Sequence, residues 1–135
     1  MRTRRIPLLL AAFAAAFLGV AVTPGPASAD LCPSGFVCIF ANANFGGNSL
    51  WINADAGESI PNLHQLLCSG CAGEKHPGSR NTWGDQMSSY INNSNQPYWW
   101  YYDIDFGGRI RFIPANSAAA SLGGDNDEAS SIGNS

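Results

Sequence analysis

Basic residues are scarce in this chain once its first five residues are set aside. Only Lys75, Arg80, Arg109 and Arg111 follow, against all ten acidic residues, so the remainder carries a formal charge of four minus ten, −6. That balance argues against nucleic acid and anionic membrane surfaces as partners and suits cations. Helix periodicity is nearly absent past residue 29, which excludes a helical bundle. No long apolar run follows residue 22, so nothing beyond it reads as a membrane span. Catalytic motifs are missing too: there is no Gly-x-Ser-x-Gly, no His-Glu-x-x-His and no Walker loop. His64 and His76 have no nucleophile context, and Asp103 and Asp105 read as solvated carboxylates, not as a glycosidase pair set across a cleft. The chain does not read as an enzyme.

What is present begins with a leader. "MRTRR" is short and basic, Ile6–Val22 is apolar, "TPGP" breaks any helix, and "ASA" at Ala27–Ala29 offers small residues to a signal peptidase. Residues 1–29 therefore read as a secretory signal peptide. Residues 30–135 remain as one extracellular domain, expected to be monomeric and free of the membrane after cleavage.

Four cysteines in an exported chain read as two disulfides. Of the three connectivities, the local pairs Cys32–Cys38 and Cys68–Cys71 are expected. The alternative is zinc, with Cys68-x-x-Cys71 flanked by His64 and His76, but an oxidising compartment favours the bridge.

Short aromatic and β-branched runs alternate with Gly, Asn, Asp and Pro, the pattern of an all-β domain rich in turns. Two elements are written twice. "FANANFGGNSLWI" (Phe40–Ile52) aligns with "YYDIDFGGRIRFI" (Tyr101–Ile113) at an offset of 61, and "GDQMSSYIN" (Gly84–Asn92) with "NDEASSIGN" (Asn126–Asn134) at an offset of 42. The 19-residue difference places an insertion in the first half, over about Asn62–Asn81. In each copy the first aromatic can lie over a folded hairpin. Gly47 and Gly108 relieve that hairpin, and the second serine of each pair, Ser89 or Ser131, can bond its backbone.

This doubled aromatic-x4-aromatic-x-Gly motif, each copy followed by a Ser-Ser element, resembles the βγ-crystallin superfamily. The opening "CPSGFVCIFANANFGG" is similar to its secreted actinobacterial branch, which contains the Streptomyces-type metalloproteinase inhibitor. The resemblance implies a sandwich of two Greek-key motifs, about eight strands, with motif one near residues 32–93 and motif two near 97–135. It also implies calcium as a cofactor. "NDEASS" fits the family's Asn/Asp-Asn/Asp-x-x-Ser/Thr-Ser pattern at every position. Asp127, the Glu128 carbonyl and Ser130 are then the candidate ligands, completed by a hairpin carbonyl near Asn42. "GDQMSS" departs from it at Gly84, leaving Asp85, the Gln86 carbonyl and Ser88, with Asp103 near the partner hairpin, as a weaker site. The calcium-free alternative is a hydrogen-bonded turn that pins each hairpin.

The same resemblance implies an extracellular metalloproteinase as partner. A tight inhibitor presents a rigid exposed loop, and a disulfide is one way to obtain it. "LLCSGCAGEKHPG" (Leu66–Gly78) has those ingredients, with Leu66, Leu67, Cys68, Ser69, Gly70 and Cys71 as the candidate inhibitory residues. In the inhibitor the bridged reactive loop belongs to the second half; here it lies in the first. A surface loop stapled only for stability is the competing account. A different class of function starts from "YWWYY" (Tyr98–Tyr102). In a strand, Trp99, Tyr101 and Asp103 face one side and Tyr98, Trp100 and Tyr102 the other. If one set is exposed, the protein would be a calcium-binding or cell-wall, glycan-directed module without inhibitory activity; rings spent mostly on core and hairpin cover are the expectation.

Overall fold

A computed structural model describes residues 30–71 and 80–134 of the chain. The expected leader, together with Lys75, His76 and Gly78, lies outside the described residues. Among these residues seven strands form: β1 (Phe36–Asn42), β2 (Gly46–Asn53), β3 (Ser89–Asn93), β4 (Tyr98–Tyr101), β5 (Ile110–Ile113), β6 (Ser117–Ala119) and β7 (Ser131–Gly133). They make two antiparallel sheets, ordered β2-β1-β3-β6 and β5-β4-β7. The two halves exchange strands. β6, from the second half, closes the first sheet beside β3. Ile60, from the first half, pairs with Ile132 of β7 in the second sheet.

That Ile60 bridge is where the expected eighth strand belongs. Ile60 exchanges both ladder bonds with Ile132, at 2.8 and 3.0 Å. Pro61 points its carbonyl away from β7, to the Asp105 N–H at 2.7 Å, and the chain then turns into a short 3-10 turn, Leu63–Gln65, whose Leu63 N–H donates to the Ser130 carbonyl at 2.9 Å. Among the described residues seven strands result, with this bridge in the place of the eighth.

The repeated aromatic motif folds the same way twice. The Phe40 and Phe45 rings meet edge-on at 5.8 Å and 71°, and Tyr101 and Phe106 at 5.6 Å and 71°. Phe45 and Phe106 both sit at positive φ, near 60°, a costly conformation for a bulky side chain. Two contacts offset it. The ring packs on its aromatic partner, and the hairpin backbone is bonded by serine. Ser89 Oγ donates to the Asn42 carbonyl (2.7 Å) and accepts the Phe45 N–H (3.0 Å). Ser131 Oγ does the same with Asp103 and Phe106, at 2.7 and 3.0 Å. Gly47 and Gly108 complete the turn: a Cβ at either would press on the Asn42 or Asp103 side chain. Ser131→Ala would strand a carbonyl and an N–H together, so it should cost about 2 kcal/mol, read from urea denaturation. Ser89→Ala should cost about the same.

The core lies between the sheets, where Val37, Ile39 and Ile52 face Tyr98, Trp100, Ile113 and Ile132. A smaller cluster covers the outside of the first sheet. There the Cys32–Cys38 disulfide draws the N-terminal segment across Phe40 and Ile91. The offset of 61 places Trp99 where Cys38 stands and Phe112 where Trp51 stands, so the outside of the second sheet has aromatics and no staple. The "YWWYY" rings divide accordingly. Tyr98 and Trp100 are core, Tyr101 lies under its hairpin, and Trp99 stays outside against Phe112, 5.2 Å away and 55 % exposed. Tyr102, half-buried, packs on the core and stacks on Trp100, so core and hairpin cover account for four of the five rings.

Candidate functional site

Three features gather at one end of the sandwich: the bridged loop and two cradles formed by the hairpins and the Ser-Ser elements. The loop is built on a pinned base. Trp83 N–H donates to the Leu66 carbonyl at 2.9 Å, and Cys68 N–H to Asn81 at 2.8 Å. Cys68 and Cys71 are joined and buried, and the Cys71 N–H closes the turn onto the Cys68 carbonyl at 3.0 Å. Asn48, from β2, donates to the Ser69 carbonyl at 2.7 Å and ties the tip to the first hairpin. Of the six candidate inhibitory residues, Leu66 packs on the core and both cysteines belong to it. Ser69 and Gly70 are exposed at the tip. Leu67 projects into solvent, 78 % exposed, between two anchored neighbours.

The disulfide removes both thiols that a zinc site would need, and among the described residues no three His, Cys, Asp or Glu side chains converge on one point. His64, the described histidine, has its Nε2 3.0 Å from Ser130 Oγ instead.

The first cradle is a cleft of about 580 Å³. Ala41, Asn42 and Ala43 form one wall, Gln86 and Ser88 a second, and Asn126 and Asp127 a third; Gly70 and Cys71 of the bridged loop close it. Ser88 Oγ lies 3.0 Å from the Ala41 carbonyl and 3.3 Å from Asp127 Oδ1. Hydroxyl, carboxylate and carbonyl oxygens on these walls are the donor chemistry calcium takes. The second cradle, about 400 Å³, is lined by His64, Tyr102, Asp103, Ile104 and Ser130.

The candidate ligands are therefore distributed across the halves. Asp127 and Asn42 share the first cradle, as the sequence pattern suggests, but the serine and glutamine beside them are Ser88 and Gln86. Ser130 stands in the second cradle with Asp103. Asp85 is fully buried, its N–H bonded to the Ala129 carbonyl at 2.9 Å, and Glu128 is half-buried. The cause is the strand exchange: each Ser-Ser element packs its serine against its own hairpin, and Asp127 crosses to the first cradle, its N–H bonded to the Met87 carbonyl at 3.1 Å.

Sequence reading missed the clamp that holds the second element in place. Arg111 grips Asp125 through Nε at 2.5 Å and Nη2 at 2.9 Å. Tyr102 OH also donates to Asp125, and the Arg109 and Arg111 guanidinium groups lie over the Tyr102 ring at 5.2 and 5.7 Å. Hydrogen bonds from Arg111 and then Tyr102 hold the Asp125 carboxyl at about 2, below its ordinary 3.8. Because the folded value is the lower one, the stabilisation is complete above about pH 4 and is lost as pH falls towards 2. Asp125→Asn should lower the melting temperature at pH 6 and flatten its fall between pH 4 and 2. The only hint in the sequence was the acid two residues before Asp127.

Comparison with known proteins agrees with this architecture. The family model described as peptidase inhibitor family I36 matches residues 25–113. Solved structures of the same shape are similar at low identity. A structure bearing on the evolution of the eye lens βγ-crystallin domain fold matches with a TM-score of 0.58 and 21 % identity, over 76 % of this chain and 87 % of its own. A βγ-crystallin from Ciona intestinalis matches at 0.54 and 22 %, over 75 % and 100 %. One from an archaeon matches at 0.53 and 21 %, over 76 % and 99 %. No curated protein matches. At such identities the solved structures speak for the fold alone, while the family model spans well over half of the chain. The chain belongs to peptidase inhibitor family I36 and has a βγ-crystallin-like fold.

Proposed function

We propose that the protein is a secreted inhibitor of extracellular metalloproteinases, and that it enters the enzyme's cleft with the bridged loop centred on Leu67. The observation that carries this is the isolation of Leu67: a large apolar side chain held out in solvent by a base that is bonded on both sides and bridged. A loop ordered before binding loses little entropy on docking, and an apolar anchor gains by entering a pocket. Export is supported by the leader and by the two disulfides, which suit an oxidising compartment. Titration of the mature protein into a thermolysin-like assay tests the proposal. Stoichiometric loss of peptidase activity at micromolar protein is the expected result. No inhibition there would favour a binding module instead, with the Trp99–Phe112 face as its first suspect.

A second reading concerns calcium, and the oxygen-lined first cradle favours it. Asp127 would supply the carboxylate, Ser88 the hydroxyl, and hairpin and Gln86 carbonyls the neutral oxygens. Bound there, the ion would brace the hairpin to the opposite half, next to the bridged loop. Calorimetry should give saturable calcium binding, weakened at least tenfold by Asp127→Ala. Equal binding by parent and variant would remove the assignment.

A further inference from the structure

We propose that His64 is a built-in plug: its imidazole takes up the Ser130 hydroxyl of the second cradle, so the chain takes one calcium ion, at the first, and not two. This rests on the calcium reading above, and it concerns the difference between two cradles that the repeat makes equivalent.

The equivalence is fixed by backbone bonds. Ser88 N–H donates to the Phe40 carbonyl at 2.9 Å and Ser130 N–H to Tyr101 at 2.8 Å; the serines correspond at the offset of 42 and the aromatics at 61. Ala119 pairs with Tyr90, and Ile60 pairs with the corresponding Ile132. Asn44 N–H reaches the Ala120 carbonyl, and Asp105 N–H the Pro61 carbonyl, both at 2.7 Å. The stretches after Ile60 and Ala119 thus correspond at an offset of 59. Each leads into a short 3-10 turn, Leu63–Gln65 in one half and Gly123–Asp125 in the other. The residue facing His64 in that correspondence is Gly123.

The two cradles differ accordingly. At the first, Gly123 puts no side chain into the space, and a Cβ added there would meet nothing within 4 Å. Ser88 is left to face the Ala41 carbonyl and Asp127. At the second, the His64 ring stands beside Ser130 and its Nε2 takes up the hydroxyl at 3.0 Å. The ring lies flat on Gly84, so that a Cβ at Gly84 would overlap its Nδ1, Cγ and Cε1 atoms. Gly84 is the position where the first "NDEASS"-like element departs from Asn or Asp. The departure and the histidine explain each other: the ligand-type residue is absent because the imidazole needs its room. A ring nitrogen on the serine hydroxyl does the bonding an ion would do, and the ring seated over Gly84 keeps that hydroxyl from serving among the oxygens calcium needs.

Calcium chloride titrated into the mature parent and into His64→Ala/Gly84→Asn, by calorimetry, tests this. One ion per parent chain and two per variant chain is the expected result, and adding Ser130→Ala to the variant should return it to one. Two ions in the parent, or one in both, would overturn the plug while leaving the calcium reading intact. None in the parent and one in the variant would overturn the first-cradle reading and support the plug. None in either would overturn both. Should the double variant fold poorly, nitrogen-15 spectra of the parent decide alone. Calcium should move the Ser88 and Asp127 amides and leave Ser130 and the His64 ring in place; a shift at His64 of equal size would overturn the plug.

Discussion

Removing residues 126–135 should unfold the protein at room temperature. Small, polar and acidic, this segment has the composition of a frayed end, yet it holds β7, which closes the second sheet beside β4 and is bridged on its outer side by Ile60. On one side β7 pairs with β4 through Trp99, Trp100 and Tyr101; on the other, Ile132 bonds both ways to Ile60. Ile132 and Ala129 are wholly buried, and Ser131 holds the second hairpin. Loss of a buried isoleucine alone costs about 2–5 kcal/mol. Each lost ladder bond adds about 0.5–1.5 kcal/mol. What would remain of the second sheet is the β4–β5 hairpin, and a two-stranded ribbon is marginal in water. Against a domain stability of about 5–15 kcal/mol, these losses leave no folded state. Circular dichroism should show no cooperative melt for the truncated chain. A melt within a few degrees of the parent's would mean that β7 contributes little, and would contradict the packing described.

Much of this fold is legible in the residues because each repeated position has a local physical duty. Phe45 and Phe106 need positive φ, an aromatic cover and a serine hydroxyl, and all three recur in both copies, the serine lying further off in the first by the length of the insertion. The disulfides are legible for a similar reason, since export leaves few other uses for an even set of cysteines. Long-range pairing is less legible. The turn at Leu63–Gln65 cuts the expected eighth strand to one bridge, which no repeat announces. The composition of the cradles depends on the exchange of strands, so Ser88 joins Asp127 across 39 positions while Ser130 joins His64. Gly84 was visible as a departure from pattern, but its cause, a ring lying on it, belongs to tertiary structure. The Arg111–Asp125–Tyr102 clamp had no signal beyond the acid two residues before Asp127.

Leu67→Asp should weaken inhibition of a thermolysin-like peptidase at least 100-fold without loosening the fold. Leu67 is mostly in water before binding, so the free protein loses almost nothing. Exposed substitutions of this kind stay within about 0.5 kcal/mol, and the melting curve should barely move. In the complex the balance reverses. A leucine moved from solvent into an apolar pocket contributes about 1.5–3 kcal/mol. An aspartate forfeits that and must also surrender its hydration without a partner. Together these exceed the 2.8 kcal/mol that corresponds to two decades of affinity at about 1.4 kcal/mol per decade. Leu67→Met conserves volume and apolarity and should stay within tenfold of the parent. The pair of variants separates docking from folding, because both keep the Cys68–Cys71 bridge and the bonds of Leu66 and Cys68 that pin the base. If Leu67→Asp inhibits as well as the parent, Leu67 is not the anchor, and the exposed tip at Ser69 and Gly70 would have to carry the contact through its backbone. That tip is held by the Asn48 side chain, so Asn48→Ala would then become the substitution that weakens inhibition.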